Sequence, residues 1–318
     1  MASFGFLPCV GVLALVAVAY NLAWPFFPFF RKSGLHRYLR AVDGKPAWAL
    51  VTGASDGIGK GLADELARRG FNVVIHGRND AKLEDVRRGL ALRHPGREFR
   101  VAVGDAVALC AGTRPWDAML APLKDLNLRV LVNNVGGVPM VPMLRRLDEC
   151  SAKEITENVH LNALFPTLLS AALLPRLTNP AAPALIINVG SIADMGLPLL
   201  SFYGGCKAYL NALSTSMVRE LAMARADVEV LGMRVGAVVT PARGDLIQPR
   251  VFWPSVETMA ESILDRVGCG RVVVVPYWGH ALQTWVADLM PSVLGEPLVN
   301  MIMGRLKVEE NRLYSKVK

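Results

Sequence analysis

Apolar positions along the chain fall into two regimes. From Leu7 to Phe30 no residue is charged and most are Leu, Val, Ala or Phe. From Ala47 onward, short apolar runs alternate with amphipathic stretches. Ala47-Trp48-Ala49-Leu50-Val51 and Phe71-Asn72-Val73-Val74-Ile75 read as buried strands, and Phe99 to Val103, Val130 to Val132, Ala184 to Val189 and Val228 to Val235 repeat the pattern. Continuous apolar runs of this length suit strands covered on both faces, as in a parallel sheet. Between them, Lys60 to Arg69, Ser151 to Leu177 and Ala208 to Ala224 read as helices. The alternation predicts an α/β fold with one doubly wound parallel sheet, and no internal repeat interrupts it.

The first regime is long enough to span a bilayer. Trp24, Phe26, Phe27, Phe29 and Phe30 gather at its far end like an interfacial belt, and Arg31, Lys32, Arg37 and Arg40 follow. The positive-inside bias then places the rest of the chain in the cytosol. A cleaved signal peptide fits less well, since no positive n-region precedes the run. Pro8, Pro25 and Pro28 leave a hairpin or interfacial anchor open. The expected organisation is an anchor over 1–30, a basic juxtamembrane linker over 31–46, a nucleotide-binding domain over 47–275 and an apolar extension over 276–318. Tyr277 to Met303 carries bulky apolar residues and few charges, suiting a substrate lid, membrane-apposed helices or plain core. The closing Lys316-Val317-Lys318 is basic but is no dilysine retrieval signal.

Composition sharpens this picture. The 318 residues are 52% hydrophobic, with mean hydropathy +0.33, which is high for a chain that never meets lipid. Lys and Arg exceed Asp and Glu by 35 to 27, a net +8, but the basic residues are scattered without interleaved aromatics. That argues against a nucleic-acid face and suits a membrane surface or a phosphorylated substrate. Cys9, Cys110, Cys150, Cys206 and Cys269 make no CxxC, and the five histidines are equally dispersed. The thiols read as reduced, and no metal site is expected.

Two stretches carry chemistry. Thr52-Gly53-Ala54-Ser55-Asp56-Gly57-Ile58-Gly59 joins the first strand to the first helix of the alternating region. Glycines there let backbone approach a pyrophosphate at a helix N-terminus, as in a Rossmann-type nucleotide site. The second strand ends in His76-Gly77-Arg78-Asn79, without the carboxylate that would bind an adenosine 2′-hydroxyl. Arg78 is suited instead to a 2′-phosphate, so the cofactor reads as NADP(H), although a solvated strand end is the plain alternative. The second stretch holds Ser191, Tyr203 and Lys207. In a helix Tyr203 and Lys207 share a face, and a nearby ammonium lowers a phenol's pKa from its usual ~10. The phenol can then exchange a proton with a carbonyl or alcohol oxygen that Ser191 orients.

Together, Thr52-Gly53-x-x-x-Gly57-x-Gly59, Asn133-Asn134-Val135-Gly136, Ser191 and Tyr203-x-x-x-Lys207 resemble the short-chain dehydrogenase/reductases, over roughly Lys45 to Arg243. The resemblance implies that Tyr203 is the general acid in reduction, that Ser191 orients the carbonyl, and that Lys207 binds the nicotinamide ribose and depresses the Tyr203 pKa. It further implies that Asn162 holds a proton-relay water (Asn158 being the rival position), that Asn134 supports the sheet near the cofactor, and that Asp105 meets the adenine. Gly136 and Val238 complete the implied cofactor contacts. Ser191 precedes Tyr203 by twelve positions, one fewer than the family leads one to expect, and Val235-Gly236 stands where the family has Pro-Gly.

Within that family, the anchor, the string ending Gly59-Lys60, Val135, and Pro198-Leu199-Leu200 ahead of Ser201-Phe202-Tyr203 resemble one branch. It comprises the membrane-bound very-long-chain 3-oxoacyl-CoA reductases and their 17-beta-hydroxysteroid dehydrogenase relatives. The branch implies NADPH-dependent reduction of a 3-oxoacyl-CoA in fatty-acid elongation at the endoplasmic reticulum membrane, in contact with membrane lipid. Steroid or retinoid oxidoreduction is the alternative, and a catalytically silent scaffold a third. Homodimerisation through the two long helices, or association with other elongation enzymes, is also implied.

Overall fold

The computed structural model describes residues 6–179, 181–240 and 251–315. The end of the family resemblance at Arg243 and the basic Lys316-Val317-Lys318 lie outside them. Among the described residues, seven parallel strands make one sheet in the order β3-β2-β1-β4-β5-β6-β7. They are β1 Ala47–Thr52, β2 Asn72–Gly77, β3 Phe99–Val103, β4 Asn127–Asn133, β5 Ala184–Ser191, β6 Val228–Val235 and β7 Val273–Val274. The helices are α1 Phe6–Ala23, α2 Gly57–Arg68, α3 Asp80–Arg93, α4 Ala106–Cys110, α5 Trp116–Leu120, α6 Ala152–Val159, α7 Phe165–Leu177, α8 Ser201–Met223, α9 Val256–Asp265, α10 Trp278–Leu289 and α11 Ser292–Ser315. This is the doubly wound sheet that the apolar pattern predicts; the two-residue β7 is too short to leave a periodic signal.

Strand alternation sorts the core into two layers. Ala47, Ala49 and Val51 join the layer holding Leu62, Leu66, Met259 and Ile263 of α2 and α9. Trp48 and Leu50 join Phe165, Leu169, Met217 and Leu221 of α7 and α8 on the other face. Both faces are therefore dry, as a parallel sheet requires. The stretch expected to be a basic linker packs onto the domain: Leu35 and Tyr38 belong to the first layer. Tyr38 donates to Glu229 at 2.5 Å, Ser33 Oγ to the Leu264 carbonyl at 2.6 Å, and Arg266 to the Pro28 carbonyl at 2.7 Å. The apolar run before it stays uncovered. Val10–Phe30 is long and apolar enough to cross a membrane; its helical part is exposed, and only towards its far end, at Pro28, does the domain cover it.

His76, near the end of β2, is buried, stacks on Phe165 and finds no partner for either ring nitrogen among the described residues. Burial pushes its pKa from 6.5 down to about 4. The unfolded chain therefore binds a proton that the folded chain refuses. This contribution to stability is intact above the unfolded pKa and is lost as pH falls from 6.5 towards 4. At pH 5.5 the loss should be about 1.4 kcal/mol. In thermal unfolding at pH 7.5 and 5.5, a His76→Phe variant should lose about 2 °C less than the wild type on acidification. Equal losses would contradict this account.

Candidate active site

The chain's polar motifs converge at the carboxyl edge of the sheet. After β1 the backbone turns through Gly53 (φ +66°) and Gly57 (φ +52°), conformations that a side chain disfavours. A Cβ on Gly59 would overlap the Gly53 carbonyl, so the third glycine lets α2 start directly against the turn. Asp56 caps α2, accepting from the Gly57 N–H at 2.7 Å, while Ser55 and Ile58 are part-buried beside it. Thr52 Oγ1 donates to the Val132 carbonyl at 3.1 Å and accepts from the N–H groups of Asn134 at 2.9 Å and Val135 at 3.0 Å. Asn134 in turn donates its amide to the Thr52 carbonyl at 2.9 Å, so β1 and β4 are laced together beneath the turn.

Arg78, directly after β2, is exposed and makes no hydrogen bond or ion pair among the described residues. Asp105 follows β3 and caps α4, one carboxylate oxygen accepting from Val107 at 2.9 Å and Ala108 at 3.1 Å.

Ser191 ends β5, where its Oγ accepts from the Ala193 N–H at 3.2 Å across a short 3-10 turn. Tyr203 lies in the first turn of α8, which begins seven residues earlier than the apolar pattern suggests, and Lys207 stands one turn on. Gly204 allows this approach, because a Cβ there would sit 2.6 Å from the Ala193 carbonyl. Lys207 is buried, donates to the Val189 carbonyl at 3.0 Å and stands 5.5 Å from the centre of the Tyr203 ring. Burial pushes its pKa down to about 8, so the ammonium keeps its proton at neutral pH.

Asn162 occupies a π-helical turn, His160–Leu164, between α6 and α7, where the pattern had suggested one unbroken helix. Such insertions often mark functional positions. Its amide grips Gly137 twice, accepting from the N–H at 2.9 Å and donating to the carbonyl at 2.8 Å. Asn158, the rival position, donates to that carbonyl too, at 3.2 Å. Gly136 lies between two of the catalytic candidates: a Cβ there would be 2.8 Å from Asn162 Oδ1 and 3.0 Å from Lys207 Nζ. Val238, in the segment after β6, is buried in the core.

The structure thus brings Ser191, Tyr203, Lys207 and Asn162 together at the carboxyl edge of the sheet, on elements that pack against one another at Gly136 and Gly204. Two supporting groups were missed by sequence reasoning. Asn133, Ser170, Asn188 and Ser214 form a buried chain under the site, linked at 2.8 to 2.9 Å. Asp194 holds Arg234 through two bonds of 2.7 Å and fastens the turn after Ser191 to β6. Neither leaves a local motif, since their partners are far apart in sequence. Among the described residues no group of His, Cys, Asp or Glu is arranged to hold a metal.

A short chain dehydrogenase model matches residues 47–250. The chain belongs to the short-chain dehydrogenase family. It is 32% identical over 311 residues to a very-long-chain 3-oxoacyl-CoA reductase of Caenorhabditis briggsae, covering 96% of this chain and 95% of that one. To the very-long-chain 3-oxoacyl-CoA reductase of Aspergillus terreus it is 30% identical, covering 82% and 74%. Among solved structures, a short-chain dehydrogenase from Sphingobium yanoikuyae in complex with NADPH superposes with TM-score 0.59 at 25% identity, over 77% of this chain and 97% of that one. The chain is therefore a short-chain oxidoreductase, and its fold serves a nicotinamide cofactor.

The residues fit such a group. The positive-φ glycines and the close-packed Gly59 leave backbone open at the α2 N-terminus, which favours a pyrophosphate. Gly136 leaves room beside Lys207 that any side chain would fill.

Proposed function

We propose that the chain reduces a long-chain 3-oxoacyl-CoA to the 3-hydroxyacyl-CoA, using NADPH, at the cytosolic face of the endoplasmic reticulum membrane. The observation that carries this reading is the placement of Tyr203 one helical turn from a buried, charged Lys207 and across a close-packed turn from Ser191. The names of the reductase relatives support the substrate class.

When bound, NADPH supplies the hydride that reduces the carbonyl carbon. Thr52 to Gly59, Asn134 and Gly136 would hold its phosphates and ribose, Asp105 its adenine, Val238 its nicotinamide end, and Arg78 its 2′-phosphate. Ser191 Oγ donates a hydrogen bond to the substrate oxygen and so favours negative charge developing there. Tyr203 gives its phenolic proton to that oxygen. Lys207 makes the donation easier, because its nearby positive charge stabilises the phenolate left behind. The Asn162 amide is engaged with Gly137, so a relay water at this turn would be held by π-helical backbone.

An apolar surface supports delivery from lipid. Val286 and Leu289 of α10 and Val293, Leu294 and Met301 of α11 are exposed, and Trp285 packs on Phe26, with ring centroids 5.8 Å apart, next to the uncovered apolar run. In this reading α1 is the anchor, and the docked 24–38 segment holds the catalytic domain at a fixed attitude to the membrane.

The test is NADPH oxidation by detergent-solubilised full-length protein offered a long-chain 3-oxoacyl-CoA or a keto-steroid. Turnover with the acyl-CoA is expected. Turnover with the steroid alone would keep the mechanism and replace the substrate, and no turnover with either would overturn the reading.

A further inference from the structure

Just outside the family match, His280 reaches back into the site from α10. Its ring is fully buried and both nitrogens are engaged. Nδ1 accepts from the Gly236 N–H at 3.1 Å, which fixes the tautomer. Nε2 therefore carries the proton, which it donates to the Ala237 carbonyl at 3.1 Å and the Phe252 carbonyl at 3.2 Å. Burial holds the pKa below the usual histidine value, in keeping with a neutral ring. Gly236 is matched to it, since a Cβ there would sit 2.7 Å from the imidazole.

The segment so gripped ends beside the glycine turn. It leaves β6 at Val235 and runs to Thr240, whose methyl would lie 3.6 Å from a Cβ on Gly57 in the glycine turn. Two further bonds fasten the chain that returns beside it: Val239 N–H to the Pro254 carbonyl at 3.0 Å, and the Tyr277 hydroxyl to the Val251 carbonyl at 2.9 Å. Gly236 has the softest backbone of any residue type, and Val235 before it does not lock φ as proline would. The imidazole supplies the constraint from outside, binding an N–H and a carbonyl on successive residues.

We propose that His280 is a positioning residue for the cofactor, a neutral buried imidazole that fixes the Gly236–Val238 backbone as one wall of the nicotinamide nucleotide site. The inference rests on the cofactor reading above and adds a role for the C-terminal extension: its first helix completes the site. His280→Leu removes both kinds of hydrogen bond, whereas His280→Asn keeps an acceptor near the Nδ1 position. His280→Gln keeps a donor near Nε2 but loses that acceptor, and carries the comparison if the leucine variant fails to fold.

The measurement is NADPH affinity of the full-length protein by fluorescence titration, with KM for NADPH and for the carbonyl substrate alongside. The dissociation constant should rise about tenfold in His280→Leu and His280→Gln and stay within about threefold in His280→Asn. KM for the carbonyl substrate should be unchanged. Folded variants that all bind NADPH as the wild type does, whatever their thermal stability, would overturn the proposal. A wild-type chain that binds neither NADPH nor NADH would instead overturn the cofactor reading beneath it.

Discussion

Replacing Tyr203 with phenylalanine is expected to lower kcat by about a thousandfold or more while NADPH affinity stays within about threefold. The ring would keep its place in the first turn of α8, beside Lys207 and above Gly204. Only the hydroxyl is lost, and with it the proton that neutralises the developing alkoxide. A thousandfold is about 4 kcal/mol of barrier, within the span that a positioned general acid supplies. Rapid-quench turnover with a 3-oxoacyl-CoA would read the effect, and fluorescence titration would read cofactor binding. Equal weakening of both would mean that Tyr203 acts through structure. Unchanged turnover would mean that another group supplies the proton, and no turnover by wild type or variant would restore the silent-scaffold reading.

The second large effect should come from Arg78→Glu. Arg78 is exposed and has no partner among the described residues, so the substitution should leave stability within about 0.5 kcal/mol. A charge-assisted bond to a 2′-phosphate is worth roughly 1.5–3 kcal/mol, and the new carboxylate would add repulsion. kcat/KM with NADPH should therefore fall about a hundredfold while kcat/KM with NADH holds or rises. A parallel fall with both nucleotides would show that Arg78 does not read the phosphate.

These residues were legible because their signals are local. Glycines at 53, 57 and 59 between a strand and a helix, and a Tyr and Lys four apart, are patterns that short stretches impose on themselves. The alternating apolar runs likewise gave six of the seven strands, since each strand's burial is written in its own residues. What stayed hidden depends on partners distant in sequence. Asn133, Ser170, Asn188 and Ser214 become a network only once β4, β5, α7 and α8 are assembled. Asp194 and Arg234 are 40 positions apart, and His280 and Gly236 are 44 apart. The segment after the apolar run looked like a basic linker because its charges face solvent. Its two buried residues, Leu35 and Tyr38, are too few to make a period. The π turn at Asn162 was hidden too, because a single inserted residue barely disturbs helical spacing.

The central claim is hydride transfer to the C3 carbonyl of an acyl-CoA, with the proton coming from Tyr203. The most direct test supplies NADPH carrying deuterium at both hydrogens of the transferring carbon of the nicotinamide, together with a long-chain 3-oxoacyl-CoA, and analyses the product by mass spectrometry. The account predicts a 3-hydroxyacyl-CoA carrying one deuterium at C3, formed one-for-one with NADP, and formed more slowly by about a thousandfold or more when Tyr203→Phe replaces the wild type. A product without deuterium, or no hydroxyacyl-CoA from a chain that binds NADPH, would contradict it.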